Sequence, residues 1–339
     1  MPDAPMLTRE LYYRLPKELI AQSPASPRDS SRLMVINVPD ETIEHRIFRD
    51  LPRFLRPGDA GVLNETKVLP ARLSVRRPGG GETELLFLRS LGGEVWEVMA
   101  RPSRRLKAGM ILSTGHEELR VIEPLDGGRW VLAGAHVLET LRRLGCMPLP
   151  PYVEATTGAE HEYQTVYAKN EGSAAAPTAG FHFTKDTLRE VERAGASLAR
   201  VTLHVGPGTF SPVKVEELSE HEMHAEYYHV PEVAARTIGE ATRVVAVGTT
   251  VARTLESWAT SGEREGETRI FIYPGYQWQA VDALLTNFHL PRSTLLAMVM
   301  SFAGKDLVRE AYEIAVRERY RFFSFGDAML LIGGGRTRP

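Results

Sequence analysis

Near residue 150 the periodicity of the chain changes, and that change limits the fold more than any other feature of the sequence. From about residue 60 to 134 the apolar residues come in short or alternating runs (ARLSV, ETELLFLRSL, EVWEVMARP, AGMILS, EELRVIEPL, RWVLAG) separated by turn residues. Alternation at period two marks half-buried strands. Strands repeating every ~8–14 residues between glycine-rich turns predict an antiparallel barrel or small sandwich. Gly79-Gly80-Gly81, Gly92-Gly93 and Gly127-Gly128 suit the positive φ of tight hairpins. A helix is expected over HVLETLRRLG, with Gly145 as its stop.

From about residue 160 helices alternate with strands. TKDTLREVERAG precedes the strand SLARVTLHV, PEVAARTIGEATR precedes VVAVG, and TVARTLESWAT precedes TRIFIYP. DALLTNF then leads into the helices STLLAMVMSFAG and DLVREAYEIAVRERY. This order predicts an α/β class: a mostly parallel sheet covered by helices. SRLMVINV and AGVLNE, earlier in the chain, are expected to join that sheet, making the antiparallel β-barrel an insertion. The expected division is 1–62 with 150–339 for the α/β domain and 63–149 for the barrel. CMPLPPYVE, too rich in proline for a helix or a central strand, reads as a stiff crossing between them.

The single cysteine, Cys146, excludes disulfide scaffolds, cysteine-based zinc sites and cysteine-ligated iron–sulfur clusters within one chain. The first residues carry charges where a signal peptide needs an apolar stretch. The apolar run Leu295 to Ala303 falls far short of the ~20 residues of a membrane span. A soluble, cytoplasmic, membrane-free protein is expected. The net charge of −2 gives no global field for nucleic acid, so any RNA contact needs a local patch. Arg76-Arg77, Arg101, Arg104-Arg105, Lys107 and Arg142-Arg143 form a candidate phosphate-facing surface, or a solvated face.

In open α/β sheets ligands bind beyond the carboxyl ends of the strands. Here those ends are followed by bare or polar loops. VTLHVGPGTFSPV places His204 at the end of an apolar strand and then strips the loop of side chains at Gly206, Gly208 and Thr209. Gly248-Thr249-Thr250 opens a helix whose free N–H groups favour an anion, with Arg253 in the same helix. Tyr273 and Gly275 follow another apolar run. Asn287, His289, Arg292 and Ser293 follow the next, with Ser293 placed as a helix N-cap. AAAPTAGFHFT contributes Thr178, Gly180, Phe181 and His182. Each loop alone is consistent with a simple turn, whereas several at one rim predict a pocket. None matches the dinucleotide or P-loop fingerprint.

SEHEMHAEYYHV gathers His221, Glu222, His224, Glu226 and His229. The second histidine comes one residue too early for H-E-x-x-H, so acid/base chemistry suits this cluster better than a metal. A surface helix end with solvated charges is the alternative.

Taken in order, YRLPKELIAQSPASPRDSSRLMV, LRPGD, LNETKVLPARL, PLPPYV, YQTVYAK, AAAPTAGFHFT, VTLHVGPGTFSPV, EHEMHAE, AVGTTVARTLES, FIYPGY, LLTNFHLPRSTL and YRFFSFGDAML resemble the S-adenosylmethionine:tRNA ribosyltransferase-isomerases of queuosine biosynthesis, from about residue 12 to 332. The resemblance implies an α/β domain with an inserted β-barrel and S-adenosylmethionine as ribosyl-donating co-substrate. It implies transfer and rearrangement of that ribosyl group onto 7-aminomethyl-7-deazaguanine at the tRNA wobble position, giving epoxyqueuosine with release of adenine and methionine, and no metal. The expected partner is the anticodon loop, bound by a monomer.

Within that frame His204 is the candidate base, with His224 and Glu226 as second candidates. Phe181 is a candidate to stack on adenine, and Arg292 or Thr249-Thr250 to hold the methionine carboxylate. Lys67, Arg72, Arg101, Arg104, Arg105 and Lys107 are candidates for RNA phosphates. Lys67 stands where the family usually has Arg, and Val251 where it commonly has Ser. An RNA methyltransferase and a non-catalytic RNA-binding module are the competing readings. The first lacks its glycine-rich fingerprint, and the second leaves the histidine-bearing loops without a purpose.

Overall fold

The computed structural model describes residues 6–150, 152–153, 162–206 and 212–336. The chain forms two compact units: Met1–Glu65 with Thr165–Ala168 and Pro177–Pro339, and Thr66–Gln164 with Lys169–Ala176.

The first unit opens with strands β1 (Arg32–Asn37), β2 (Thr42–Ile47) and β3 (Asp59–Asn64). In the second unit lie β4 (Thr66–Val68), β5 (Arg72–Arg76), β6 (Glu82–Gly92), β7 (Val95–Arg101), β8 (Ile111–Ser113), β9 (Glu118–Pro124), β10 (Arg129–Ala133), helix α1 (Val137–Leu144) and β11 (Asn170–Ser173). Back in the first unit follow α2 (Lys185–Arg193), β12 (Ser197–Leu203), β13 (Glu226–His229), α3 (Glu232–Glu240), β14 (Arg243–Val247), α4 (Thr249–Ser261), β15 (Glu265–Thr268), β16 (Ala283–Asn287), α5 (Thr294–Ala303), α6 (Lys305–Arg317) and β17 (Ala328–Ile332).

The barrel closes in the order β10-β7-β6-β5-β8-β9, with every pairing antiparallel. Its sequence alternation becomes its inside and outside. Leu73, Val75, Leu85, Phe87, Val98, Leu112, Leu119, Val121 and Leu132 fill the interior, while β9 reads exposed, buried, exposed, buried along its first four residues. Closure removes the unpaired edges that an open sheet of this size would present. Helix α1 packs Val137 and Leu141 onto the same core and ends at Gly145, as its sequence predicts.

The larger sheet has nine strands in the order β15-β13-β12-β3-β14-β16-β17-β1-β2 and is mixed. Its centre is parallel from β12 through β3 and β14 to β16. All six residues of β3 are buried, because the sheet is covered on both faces there. The edge strand β2, TIEHRI, is mostly exposed and carries charges that discourage further pairing.

One expected parallel strand is absent. Of TRIFIYP only Thr268 lies in a strand, β15, which pairs antiparallel with β13 at the sheet edge. The apolar run Ile270–Ile272 is instead irregular chain, with Ile272 buried. Burial alone, with no partner strand, explains its composition. The segment 219–230 is likewise no helix end: a short 3₁₀ turn, Leu218–Glu220, leads into β13.

Because β12, β3, β14 and β16 are parallel, their carboxyl ends at Leu203, Asn64, Val247 and Asn287 share one rim. Strand β17 runs against β16, with Ala328 opposite Asn287, and β1 runs with β17, so both enter at that rim.

Candidate active site

Asn64 ties the middle of the rim together. Its Oδ1 accepts from the Leu203 N–H at 3.1 Å, and its Nδ2 donates to the Leu203 carbonyl at 3.0 Å and to Thr250 Oγ1 at 3.2 Å. One buried carboxamide thus fixes the end of β12 against the start of α4. Gly248, the N-cap of α4, sits at φ +97°, and its N–H donates to the Leu285 carbonyl at 2.7 Å. A Cβ there would lie 3.3 Å from Ala179, so both the backbone angle and the space demand glycine. Thr249 and Thr250 are buried, and no side chain caps the helix start.

His204 directly follows β12. Its ring stacks on Tyr227 with centroids 5.6 Å apart, and its N–H donates to the Tyr227 carbonyl. It is half-buried, and that burial lowers its pKa below the ordinary imidazole value, favouring the neutral, proton-accepting form. Two residues on, the Gly206 N–H donates to Glu226 Oε1 at 2.8 Å. The other Glu226 oxygen accepts from Arg253 Nη1, and both side chains are 2% exposed. Arg253 Nε donates to the Ile270 carbonyl at 3.3 Å, while Nη2 is buried with no partner. Buried guanidinium nitrogens are rarely left unpaired. Gly208 and Thr209, nominated from the same loop, lie outside the described residues.

His182 forms a second cluster. Its Nδ1 is 2.8 Å from Ser31 Oγ and its Nε2 is 3.2 Å from Asn287 Nδ2. Asn287 Nδ2 also donates to the Phe323 carbonyl, so Nε2 is the accepting nitrogen and Nδ1 carries the proton; Asn287 Oδ1 has no partner. The ring stacks on Phe48 at 5.0 Å. Burial, reinforced by the charges of Arg321 and Arg28, pushes its pKa down to about 3. Thr178 opens the 3₁₀ turn that carries His182, and Gly180 within it admits no side chain, since a Cβ would fall 2.1 Å from the Tyr167 hydroxyl. Phe181 is buried, stacked on Phe325 at 5.6 Å, with the Arg28 guanidinium 5.5 Å from its centroid.

These two clusters and the start of α4 occupy one rim. The other nominated residues have different surroundings. His289 is buried in the core, with its Nε2 2.9 Å from Thr286 Oγ1 and its N–H donating to the Tyr312 hydroxyl. Burial pushes its pKa down to about 3. Ser293 caps α5 by accepting from the Leu296 N–H at 3.2 Å. Arg292 is exposed, 5.4 Å from the Tyr12 ring centroid. Tyr273 is half-buried against Phe271, whose ring also meets His221 edge-on, and Gly275 lies in an exposed turn at φ +102°.

The acid/base cluster of 221–229 is divided by the pleat of β13. Glu226 and Tyr228 face inward, while Glu222 and His224, ahead of the strand, are exposed. Among the described residues no three His, Cys, Asp or Glu side chains are grouped to hold a metal ion.

The profile of the queuosine biosynthesis protein family matches residues 8–331. The chain belongs to that family. An S-adenosylmethionine:tRNA ribosyltransferase-isomerase of Rubrobacter xylanophilus is 69% identical over 333 residues, covering 98% of this chain and 99% of the relative. The protein of that name from Moorella thermoacetica is 51% identical, covering 96% and 100%. The crystal structure of S-adenosylmethionine tRNA ribosyltransferase from Thermotoga maritima aligns with a TM-score of 0.56 at 39% identity, covering 95% of this chain and all of that one.

In this queuosine-family chain several organising residues were not singled out from the sequence. Asn64 and Ser31 sit inside the quoted motifs LNETKV and RDSSRL with nothing local to mark their roles. Glu256, buried in α4, accepts from the N–H groups of Gln279, Ala280 and Val281 and from the Tyr276 hydroxyl, although burial raises its pKa. An acidic residue in a helix buried on all sides from Thr249 to Ser257 is the one signal that points to it.

Proposed function

We propose that the protein is an S-adenosylmethionine:tRNA ribosyltransferase-isomerase. It transfers and rearranges the ribosyl group of S-adenosylmethionine onto 7-aminomethyl-7-deazaguanine at the wobble position of tRNA, producing epoxyqueuosine and releasing adenine and methionine. The observation that carries this reading is the rim where a half-buried, neutral-favouring His204 stands two residues before Gly206, whose N–H is held by the buried Glu226–Arg253 pair. The names and lengths of the family relatives agree with it.

The donor set fits the co-substrate. The uncapped start of α4 and the unpartnered Arg253 Nη2 offer N–H groups to a carboxylate. The sulfonium of S-adenosylmethionine supplies acidity at the ribose 5′ carbon and a leaving group. His204, uncharged at neutral pH, is the base that takes the proton there. Glu226 has both oxygens engaged, so its role is to position Gly206 and Arg253, and His224 is left as the candidate to protonate departing adenine. The target base lies in a single-stranded loop and is read by stacking and edge contacts. Such a tRNA substrate places the protein's work in the cytoplasm.

Incubating the protein with S-adenosylmethionine and a tRNA bearing 7-aminomethyl-7-deazaguanine, followed by mass spectrometry, tests this. Adenine, methionine and an epoxycyclopentane-bearing nucleoside are expected. S-adenosylhomocysteine with a methylated nucleoside would establish a methyltransferase instead.

A further inference from the structure

We propose that the segment Arg101–Lys107, between β7 and β8 of the barrel, is the surface that holds the sugar–phosphate backbone of the RNA. This rests on the reading of the chain as a tRNA-modifying enzyme. Arg101, Arg104, Arg105 and Lys107 are all exposed, and among the described residues none of the four is paired with a carboxylate.

Two further nominated cations of the barrel unit, Lys67 and Arg72, are differently placed. Lys67 Nζ lies 3.0 Å from Glu171, whose second oxygen is taken by Arg142. Arg72 lies 3.9 Å from Glu84 and donates to the Leu149 carbonyl. Arg89 and Arg129 are both held by Glu97. A cation already neutralised must give up that pairing before it gains from a phosphate, whereas among the described residues the 101–107 group has no ion pair to release.

The segment is also anchored. Leu106 is buried in the barrel core, and the Trp130 indole N–H donates to Ser103 Oγ at 2.9 Å. The Leu106 N–H closes the turn Ser103–Arg105 onto the Ser103 carbonyl at 3.0 Å. Arg104 and Arg105 therefore extend from a fixed turn, and ordering them against RNA costs less than ordering a free loop. Three of the four cations are arginines, whose planar fork matches phosphate oxygens.

The test measures affinity for an unmodified tRNA transcript across salt concentrations. It compares the wild type, the combined variant Arg101→Ala, Arg104→Ala, Arg105→Ala and Lys107→Ala, and the pair Lys67→Ala and Arg72→Ala. With four phosphates released, the slope of log affinity against log salt becomes shallower by about 3 in the combined variant. The KM for tRNA rises at least about tenfold, and that for S-adenosylmethionine stays level. Arg104→Gln with Arg105→Gln, which leaves the anchoring residues intact, gives about half the slope change. An unchanged slope in the combined variant overturns the proposal, as does a loss confined to the Lys67 and Arg72 pair. A wild type that binds tRNA yet releases no adenine defeats the catalytic reading, while the slopes still decide the surface.

Discussion

The two sides of the sheet rim treat a histidine in opposite ways. On the β12 side, His204 is half-buried, stacks on one tyrosine and stands two residues before Gly206, whose N–H is held by a buried ion pair. On the β16 side, His182 and His289 are fully enclosed, engaged by hydroxyl or amide groups and held neutral with pKa values near 3. All three rings sit in loops beside apolar sequence. What separates them is the company that the tertiary fold brings, so a histidine in such a loop earns a chemical role only where the fold leaves part of it open.

The largest expected effect tests whether the β12 side depends on its buried pair. Glu226→Ala leaves the Arg253 guanidinium buried without its carboxylate and should cost about 3–5 kcal/mol of stability in a urea titration. A loss below about 1 kcal/mol would mean that the pair does not stabilise this side of the rim.

Next, His204→Ala should lower turnover by at least about 100-fold, the range for removing a general base. Being half-buried, the ring should contribute little to stability. In the wild type the acid limb of the pH–rate profile should fall below the ordinary imidazole pKa of 6.5, because burial lowers the pKa of this ring. Full turnover in the variant would remove His204 from the chemistry.

The smallest effect sharpens the β16 side. His182 and His289 each have a folded pKa of about 3 against 6.5 for the free ring. Between those values the unfolded chain binds more protons, so their stabilising contribution is intact above 6.5 and falls as the pH drops toward 3. Each contributes a slope of up to about 1.4 kcal/mol per pH unit in that window. His289→Gln should remove one such slope from urea midpoints measured between pH 6.5 and 4, and an unchanged slope would contradict a neutral buried ring.

Much of this was legible in the sequence. The barrel strands, the parallel sheet centre and the cap at Ser293 follow from local periodicity and local chemistry, which the chain carries within a few residues. Partnership across distance is not local. Nothing near Glu226 announces Arg253, 27 residues later, and nothing near Asn64 announces Leu203. The run at 270–272 read as a strand because burial and strand pairing leave the same apolar signature. Nor does sequence alone separate the free cations of 101–107 from Lys67, whose partner Glu171 arrives about a hundred residues later.

Glu256 makes the burial of α4 depend on chain that is synthesised after it. Its carboxylate is fully buried, and its backbone partners, Gln279 to Val281, lie 23 to 25 residues further along. A chain made from its N-terminus exposes α4 before those amides exist, and sealing the carboxylate without them would strand a charge in an apolar layer. The backbone partners that satisfy a charged Glu256 thus exist only once residues 279–281 have been made.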